Sequence, residues 1–483
     1  MSSLKTNVVF NFINTLTGIL FPIITFPYTA RILLPEGIGA VNFYLSIINY
    51  IVLLTSLGIP MYAVKEVAKY RDDIIKRNRI TVEITLLSTV LCLLGYLLVW
   101  ILASFVPQIN TNVSLFYILS LTIIFTGLGV QWFYQAIEDF KFITIRAILV
   151  RSLATVSLFV FVRDKNDLLS YGIVTVASTV GNNMINFFHL RKYIRFSEIV
   201  WGDLRIMRHL KPALHIFILN LIISIYVNLN LVMLGFMQGD EAVGFYSAGV
   251  RIPYVILSVV TSLGVVMLPR CSNLVKASKM DEFTVVSRKV IRFVLCSSLP
   301  LTIGLMLLSR PIIAIFCGPE YSASVPVLCL TAPIIVFIGV TNVIGIQILY
   351  PQNQENLVIW STVGGAVFNF VLNLVLIPIW SYEGAAIATL VAEFSVLVIQ
   401  LFLGRKYVPF SLFEKENLPY VTATLVMSVM VLLVISIVDN PWSMTIGSLV
   451  VGGFSYIGIL FLLKDSLIRE ILVYMKLNTL FKR

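Results

Sequence analysis

Arg251 and Glu393 carry the sharpest chemical signal in this chain, because each stands inside a long apolar stretch. A charge at the centre of a bilayer costs about 2.5–3.5 kcal/mol on insertion scales, so each should face a water-filled cavity or a partner. The planar guanidinium fork pairs bidentately with phosphate oxygens, so a cavity-facing Arg251 suits an anionic substrate. Glu393 is the candidate for ion coupling, since a membrane potential supplies about 2.3 kcal/mol per charge per 100 mV. Arg151 and His215 lie nearer one end of their stretches, and Arg31 lies near the far end of the first. Snorkelling to the headgroups is the competing reading for Arg31 and Arg151. Asparagines form the third set: Asn11, Asn14, Asn182, Asn183, Asn186, Asn220, Asn228, Asn230, Asn369 and Asn373. The last two, at i and i+4, share one helix face. Hydrogen bonding between helices, worth about 0.6 kcal/mol each, is one reading of this set, and a polar lumen is the other. Candidate cavity residues are thus Arg31, Arg151, His215, Arg251, Asn228, Asn369 and Asn373.

Other chemistries find little footing. There is no GxxxxGK[ST] loop for a nucleotide, no HExxH and no GxSxG elbow. The three histidines (His189, His209, His215) are scattered, and the five cysteines show no CxxC spacing, so neither a metal site nor a disulfide framework is indicated. No cofactor is expected, and the residues do not suggest an enzyme.

The elements that must position these residues are membrane helices. The chain is 58% hydrophobic and only 12% charged, with a mean hydropathy of +0.95. A soluble protein is about 25% charged and cannot hide that much apolar surface in one core. The pattern predicts an all-α integral membrane protein of about fourteen spans, near 7–34, 38–60, 80–104, 114–136, 144–162, 168–190, 212–237, 244–268, 290–309, 326–349, 357–378, 385–404, 417–437 and 444–463. No space remains for a sizeable soluble domain, and the first run is too long for a cleavable signal. The formal charge of +11 is not a nucleic-acid signature, because the charges cluster between apolar runs. With the N-terminus cytoplasmic, thirty of the 35 lysines and arginines fall on the inner side, which places both termini there. Pro22 and Pro27 in the first span and Pro253 in the eighth predict kinks, with a bending first helix.

A weak repeat six spans apart organises these elements. Ala40-Val41-Asn42-Phe43-Tyr44 opens span two, and Ala242-Val243-Gly244-Phe245-Tyr246 opens span eight. Ser56-Leu57-Gly58 matches Ser262-Leu263-Gly264, and Ser170-Tyr171-Gly172 resembles Ser381-Tyr382-Glu383-Gly384. Parallel repeats of six spans are a transporter plan in which substrate is held between halves. The expected division is 1–205 and 206–408 for two six-helix bundles, and 409–483 for two further helices and a cytoplasmic tail.

Longer motifs carry a family resemblance. Pro27-Tyr28-Thr29-Ala30-Arg31-Ile32-Leu33-Leu34-Pro35-Glu36-Gly37-Ile38-Gly39 resembles the end of the first span in Wzx-type polysaccharide flippases, with Leu34 where that family often has glycine. Ser56-Leu57-Gly58-Ile59-Pro60, Gln131-Trp132-Phe133-Tyr134-Gln135, Val243-Gly244-Phe245-Tyr246-Ser247-Ala248 and Gly384-Ala385-Ala386-Ile387-Ala388-Thr389 are similar too, in the same order. The resemblance implies the multidrug/oligosaccharidyl-lipid/polysaccharide exporter fold, a V of two six-helix bundles around a central cavity with two extra helices. It implies a cargo, an undecaprenyl-pyrophosphate-linked oligosaccharide repeat unit for O-antigen, capsule or exopolysaccharide, turned across the cell (inner) membrane on an ion gradient. Membrane lipid would accompany that cargo, with a polysaccharide polymerase and chain-length proteins as candidate partners. A lipid II flippase and a drug/cation antiporter are the alternatives of the same fold. A membrane polymerase or ligase is the alternative of another class, disfavoured because every outer loop is short.

Overall fold

Lipid offers no hydrogen bonds to a backbone, so a chain this apolar must satisfy its amides internally. The computed structural model describes residues 4–194, 199–412, 414–465 and 467, and these are helical with short connections and no strand. Arg195, Arg469, Lys476, Lys482 and Arg483 of the expected charge pattern, and most of the expected tail, lie outside the described residues, as does the side chain of Asn220. Among the described residues, ten helical stretches are long and apolar enough to cross a membrane. Their outward faces agree with that: on the helix Phe140–Phe161, Leu149, Leu153, Val156 and Val160 recur at helical spacing and are all exposed. The protein is a multi-pass membrane protein.

Packing divides the chain into two units, Met1–Gly244 and Phe245–Arg483. The first unit holds α1 (Leu4–Ser56), α2 (Ile59–Lys69), α3 (Ile74–Phe105), α4 (Pro107–Asn110) and α5 (Val113–Leu128). It continues with α6 (Gln131–Ala136), α7 (Phe140–Phe161), α8 (Leu168–Leu190), α9 (Leu210–Gln238) and the start of α10 (Asp240–Lys276). Within it α1 packs on α3, α5, α7 and α9, and α5 packs on α8.

Two features of α1 differ from the expectation. Spans one and two are not separated by a loop: they form one 53-residue run whose single non-helical residue is Leu34, at φ 59° and ψ 176°. The break therefore falls beyond Pro22 and Pro27, both of which sit in helical backbone. Pro35 explains its place, because a proline ring excludes helical ψ from the residue before it and then starts the next helix well. That backbone region is one only glycine occupies freely, and it costs other residues about 1–3 kcal/mol. Leu34→Gly should therefore stabilise the protein by about 1 kcal/mol after glycine's extra unfolded-state entropy is subtracted. Thermal unfolding in detergent reads this, and a lower melting point for the variant would refute it.

Beyond the elbow, the chain meets α10 backbone to backbone. A Cβ placed on Gly39 would lie 2.6 Å from the Asp240 carbonyl carbon and 2.8 Å from the Gly244 nitrogen, and one on Gly244 would lie 2.6 Å from the Pro35 carbonyl carbon. No side chain fits at either position.

The second unit runs from the body of α10 through α11 (Met280–Leu307), α12 (Ser309–Phe316), α13 (Ser324–Thr331) and α14 (Ile334–Asn342), then a π-helical turn over Val343–Leu349. It ends with α15 (Glu355–Gly404), α16 (Leu418–Ile437) and α17 (Pro441–Leu462). A second elbow lies inside α15, at Ser381 (φ 49°, ψ −128°). The Ser262-Leu263-Gly264 repeat stays within the continuous α10, whereas α1 ends at Ser56. Helix α11 starts ten residues ahead of the apolar run, so Arg288, Lys289 and Arg292 are helical and not in a loop. Arg292 uses that position to hold the terminal hairpin: it reaches Glu416 at 2.9 Å, Asp465 at 3.4 Å and the Tyr420 hydroxyl at 3.3 Å. The Tyr456 hydroxyl of α17 donates to the Cys296 carbonyl at 2.7 Å.

Candidate functional site

In the first unit, three short-range decisions assemble a basic cavity. Gly58 ends α1 in a left-handed turn (φ 71°), and a Cβ there would lie 2.8 Å from the Phe217 nitrogen and 2.9 Å from the Ala213 oxygen. Only glycine lets the start of α2 approach α9 this closely. Helix α2 then carries Lys65 and Lys69, and the first turns of α9 carry Lys211 and His215. Together with Tyr62, Glu66, Arg208 and His209 they line a cavity of about 830 Å³.

Its back wall is a buried polar knot. Glu83 of α3 is fully buried yet ionic. It accepts from the Arg205 backbone N–H at 2.7 Å, from Arg208 Nε at 2.9 Å and Nη2 at 2.5 Å, from His209 Nε2 at 2.8 Å and from Arg79 Nε at 3.2 Å. His209 Nδ1 meets the Tyr62 hydroxyl at 2.7 Å. A neutral ring satisfies both contacts, with Nε2–H donating to Glu83 and Nδ1 accepting from Tyr62. Burial agrees, since it holds the His209 ring below the usual imidazole range, outweighing the pull of Glu83. The segment Arg205–His209 is thereby pinned across α2 and α3.

Two arginines of α7 stand deeper, and their partners carry no formal charge. Arg151 Nη1 donates to the Asn14 carbonyl at 3.0 Å, the Asn14 side-chain oxygen at 3.1 Å and Thr17 Oγ1 at 2.8 Å, all on α1. Arg146, only 4% exposed, donates to the side-chain oxygens of Asn186 and of Gln131. The break between α5 and α6 builds this second site. Val130 turns left-handed (φ 37°), which frees the Gly129 carbonyl for Asn186 Nδ2 at 2.6 Å, and the Tyr134 hydroxyl donates to the Asn186 carbonyl at 2.6 Å. By sequence Arg146 is one of the thirty basic residues on the inner side. Its position two turns into an apolar helix that already held Arg151 was the available signal. For Glu83 the local signal in the sequence is Arg79, one turn before it.

The remaining candidates are distributed. Arg31 is exposed on α1, three residues before the elbow, and Asn228 is half-buried in α9. In the second unit Arg251 is half-buried on α10 and Glu393 is buried on α15. The Tyr246 hydroxyl and Thr389 Oγ1 join those two helices at 2.9 Å, one helical turn before Glu393. Asn369 and Asn373 are fully buried on α15, and Asn373 Nδ2 donates to Asn369 Oδ1 at 3.1 Å. The structure thus brings His215 beside Lys65, Lys69, Lys211 and Arg208, joins Arg151 to Asn14, and pairs the two asparagines of α15.

Residues 4–275 match the family model described as "Polysaccharide biosynthesis protein". The chain belongs to that family. A second model, MatE, matches residues 216–375. A relative from Escherichia coli K12 named "Putative O-antigen transporter" is 23% identical over 406 residues, covering 83% of this chain and 97% of its own length. A membrane protein of Methanocaldococcus jannaschii without an assigned role is 23% identical over 464 residues, covering 89% of this chain and 90% of its own. Among solved structures, the lipid II flippase MurJ in an inward closed conformation superposes with a TM-score of 0.74 at 14% identity, over 95% of this chain and 99% of MurJ. An inward-facing multidrug resistance transporter of the MATE family superposes with a TM-score of 0.61 at 12% identity, over 80% and 93%. At such identities the structural likeness speaks for the fold, which this family member shares with membrane transporters.

Proposed function

We propose that this protein is a flippase, and not an enzyme, that turns an undecaprenyl-pyrophosphate-linked oligosaccharide from the inner to the outer leaflet of the cell (inner) membrane. The observation that carries this reading is the uncompensated charge of α7. Arg146 and Arg151 are fixed by amide, hydroxyl and carbonyl oxygens, with no carboxylate in ion-pair range among the described residues. Neutral partners hold the guanidinium groups in place and leave their positive field for an anion. The names of the bacterial relatives point to O-antigen as one such cargo.

In this reading the fourteen spans arise from the ten apolar stretches once the elbows at Leu34 and Ser381 each divide one, with α8 and α9 added. Residues 1–205 and 206–408 are the repeated halves, 409–483 the added pair and tail, and both termini are cytoplasmic. Arg31, Arg151, Arg251 and His215 attract the pyrophosphate; Asn228, Asn369 and Asn373 serve the sugar path; Glu393 couples transport to an ion gradient. The test replaces Arg151 or Arg251 by alanine at matched protein level and measures surface polysaccharide. We expect at least about a tenfold loss for each, equivalent to one charge-assisted hydrogen bond, with poor rescue by lysine because it lacks the fork. Full function in both alanine variants would overturn the role. Loss of cell-wall synthesis in place of surface glycan would reassign the cargo to lipid II.

A further inference from the structure

We infer that the cavity between α2 and the start of α9 is a capture site for a diphosphate group, distinct from Arg146 and Arg151. The inference rests on the transport reading for its place in the cargo's path, ahead of the α7 arginines. Four cations (Lys65, Lys69, Arg208 and Lys211) face the cavity against one carboxylate, Glu66. Glu66 is occupied by Lys69 at 2.6 Å, and Arg208 is anchored from behind by Glu83. Lys65 and Lys211 are exposed and make no ion pair among the described residues. The first turn of the 29-residue α9 forms part of the wall and has no side-chain cap, so the positive end of its dipole adds to the field. A second cavity of about 540 Å³ shares Glu66 and Arg208 and adds three cations, Lys76, Arg79 and Arg205, against one further carboxylate, Asp203.

Membrane orientation alone does not explain this arrangement. A positive-inside bias requires basic residues on one side of the bilayer, but it does not require them to converge on a cavity. Nor does it require a buried Glu83–His209–Tyr62 relay to hold Arg208 at the wall. The volume of about 830 Å³ is ample for a diphosphate with its first sugar. The two cationic stations also differ in kind. Lysines are mobile point charges that hold and release an anion easily, while a fixed guanidinium fork grips it directionally.

The test uses the purified full-length protein in neutral phosphatidylcholine nanodiscs and measures binding of farnesyl diphosphate and of inorganic pyrophosphate. Lys65→Gln and Lys211→Gln should each weaken binding about tenfold, the scale of one charge-assisted contact. Lys65→Arg and Lys211→Arg should bind like the unaltered protein, and rising salt should weaken binding steeply. Equal affinity for both probes would make the phosphates the whole determinant, and tighter farnesyl diphosphate would mark a lipid-borne group. Wild-type affinity in both glutamine variants would overturn the inference, as would full displacement by phosphatidylglycerol in the nanodisc. Binding needs no turnover, so unimpaired export in the Arg151 and Arg251 variants would count against the transport reading alone.

Discussion

Replacing Glu83 by alanine is expected to lower the melting temperature of the detergent-solubilised protein by about 5–10 °C, corresponding to about 3 kcal/mol in a unit of this size. Among the described residues, Glu83 is the one acceptor for His209 Nε2 and for the Arg205 backbone N–H. Both donors stay in place when it is removed, and each buried orphan costs about 1–3 kcal/mol. Arg79 and Arg208 contribute less, because their side chains are 35% and 45% exposed and can turn to water. Glu83→Gln keeps an acceptor oxygen but loses the charge, so its penalty should be about half. An unchanged melting temperature in the alanine variant would show that the Arg205–His209 segment is held by something else. Release of that segment should also weaken diphosphate binding, since Arg208 would leave the cavity wall.

The second large effect concerns the Gly39–Gly244 crossing. Alanine at either glycine meets backbone atoms, which cannot swing aside as a side chain would. Overpacking of this kind costs about 1–3 kcal/mol, and the rigidity of both helices puts the expectation near the top of that range. The two substitutions should not add. Once one methyl has pushed the helices apart, the second finds room, so the double variant should fall short of the sum by about 1 kcal/mol or more. Thermal unfolding of the two single variants and the double variant measures that coupling. Full additivity would mean that the helices do not meet at this point in the membrane.

Much of this was legible in the sequence because lipid enforces a simple grammar. Helix α8 begins and ends at the residues where apolar patterning placed span six, and Arg151 and His215 stood out merely by interrupting apolar runs. The elbow at Leu34 was half legible: Pro35 announces a break, but nothing local announces a positive φ at a leucine. The knot was barely legible. Apart from Arg79 one turn before it, Glu83 finds its partners more than 120 residues away, in a basic segment whose charges already had an explanation as orientation signals. Arg146 was hidden for the same reason, since one pattern had absorbed it before its burial could be known. The helical start of α11 escaped because its first turns are polar: a helix continues past the apolar core as long as its own amides pair, so hydropathy marks the membrane's edges and not the helix's.

The elbows leave the polypeptide no slack where they interrupt a helix. At Leu34 and Ser381 one residue does the work of a loop, so adding a single residue there would rotate everything beyond it by about 100° about the helix axis. Epitopes, protease sites and fluorescent fusions for mapping sidedness should therefore be lethal to the protein at these positions. They should be tolerated near residues 163–166, where a short exposed turn joins α7 to α8. A scan of insertions along the chain would trace the elbows as narrow minima of expression, each only a few residues wide.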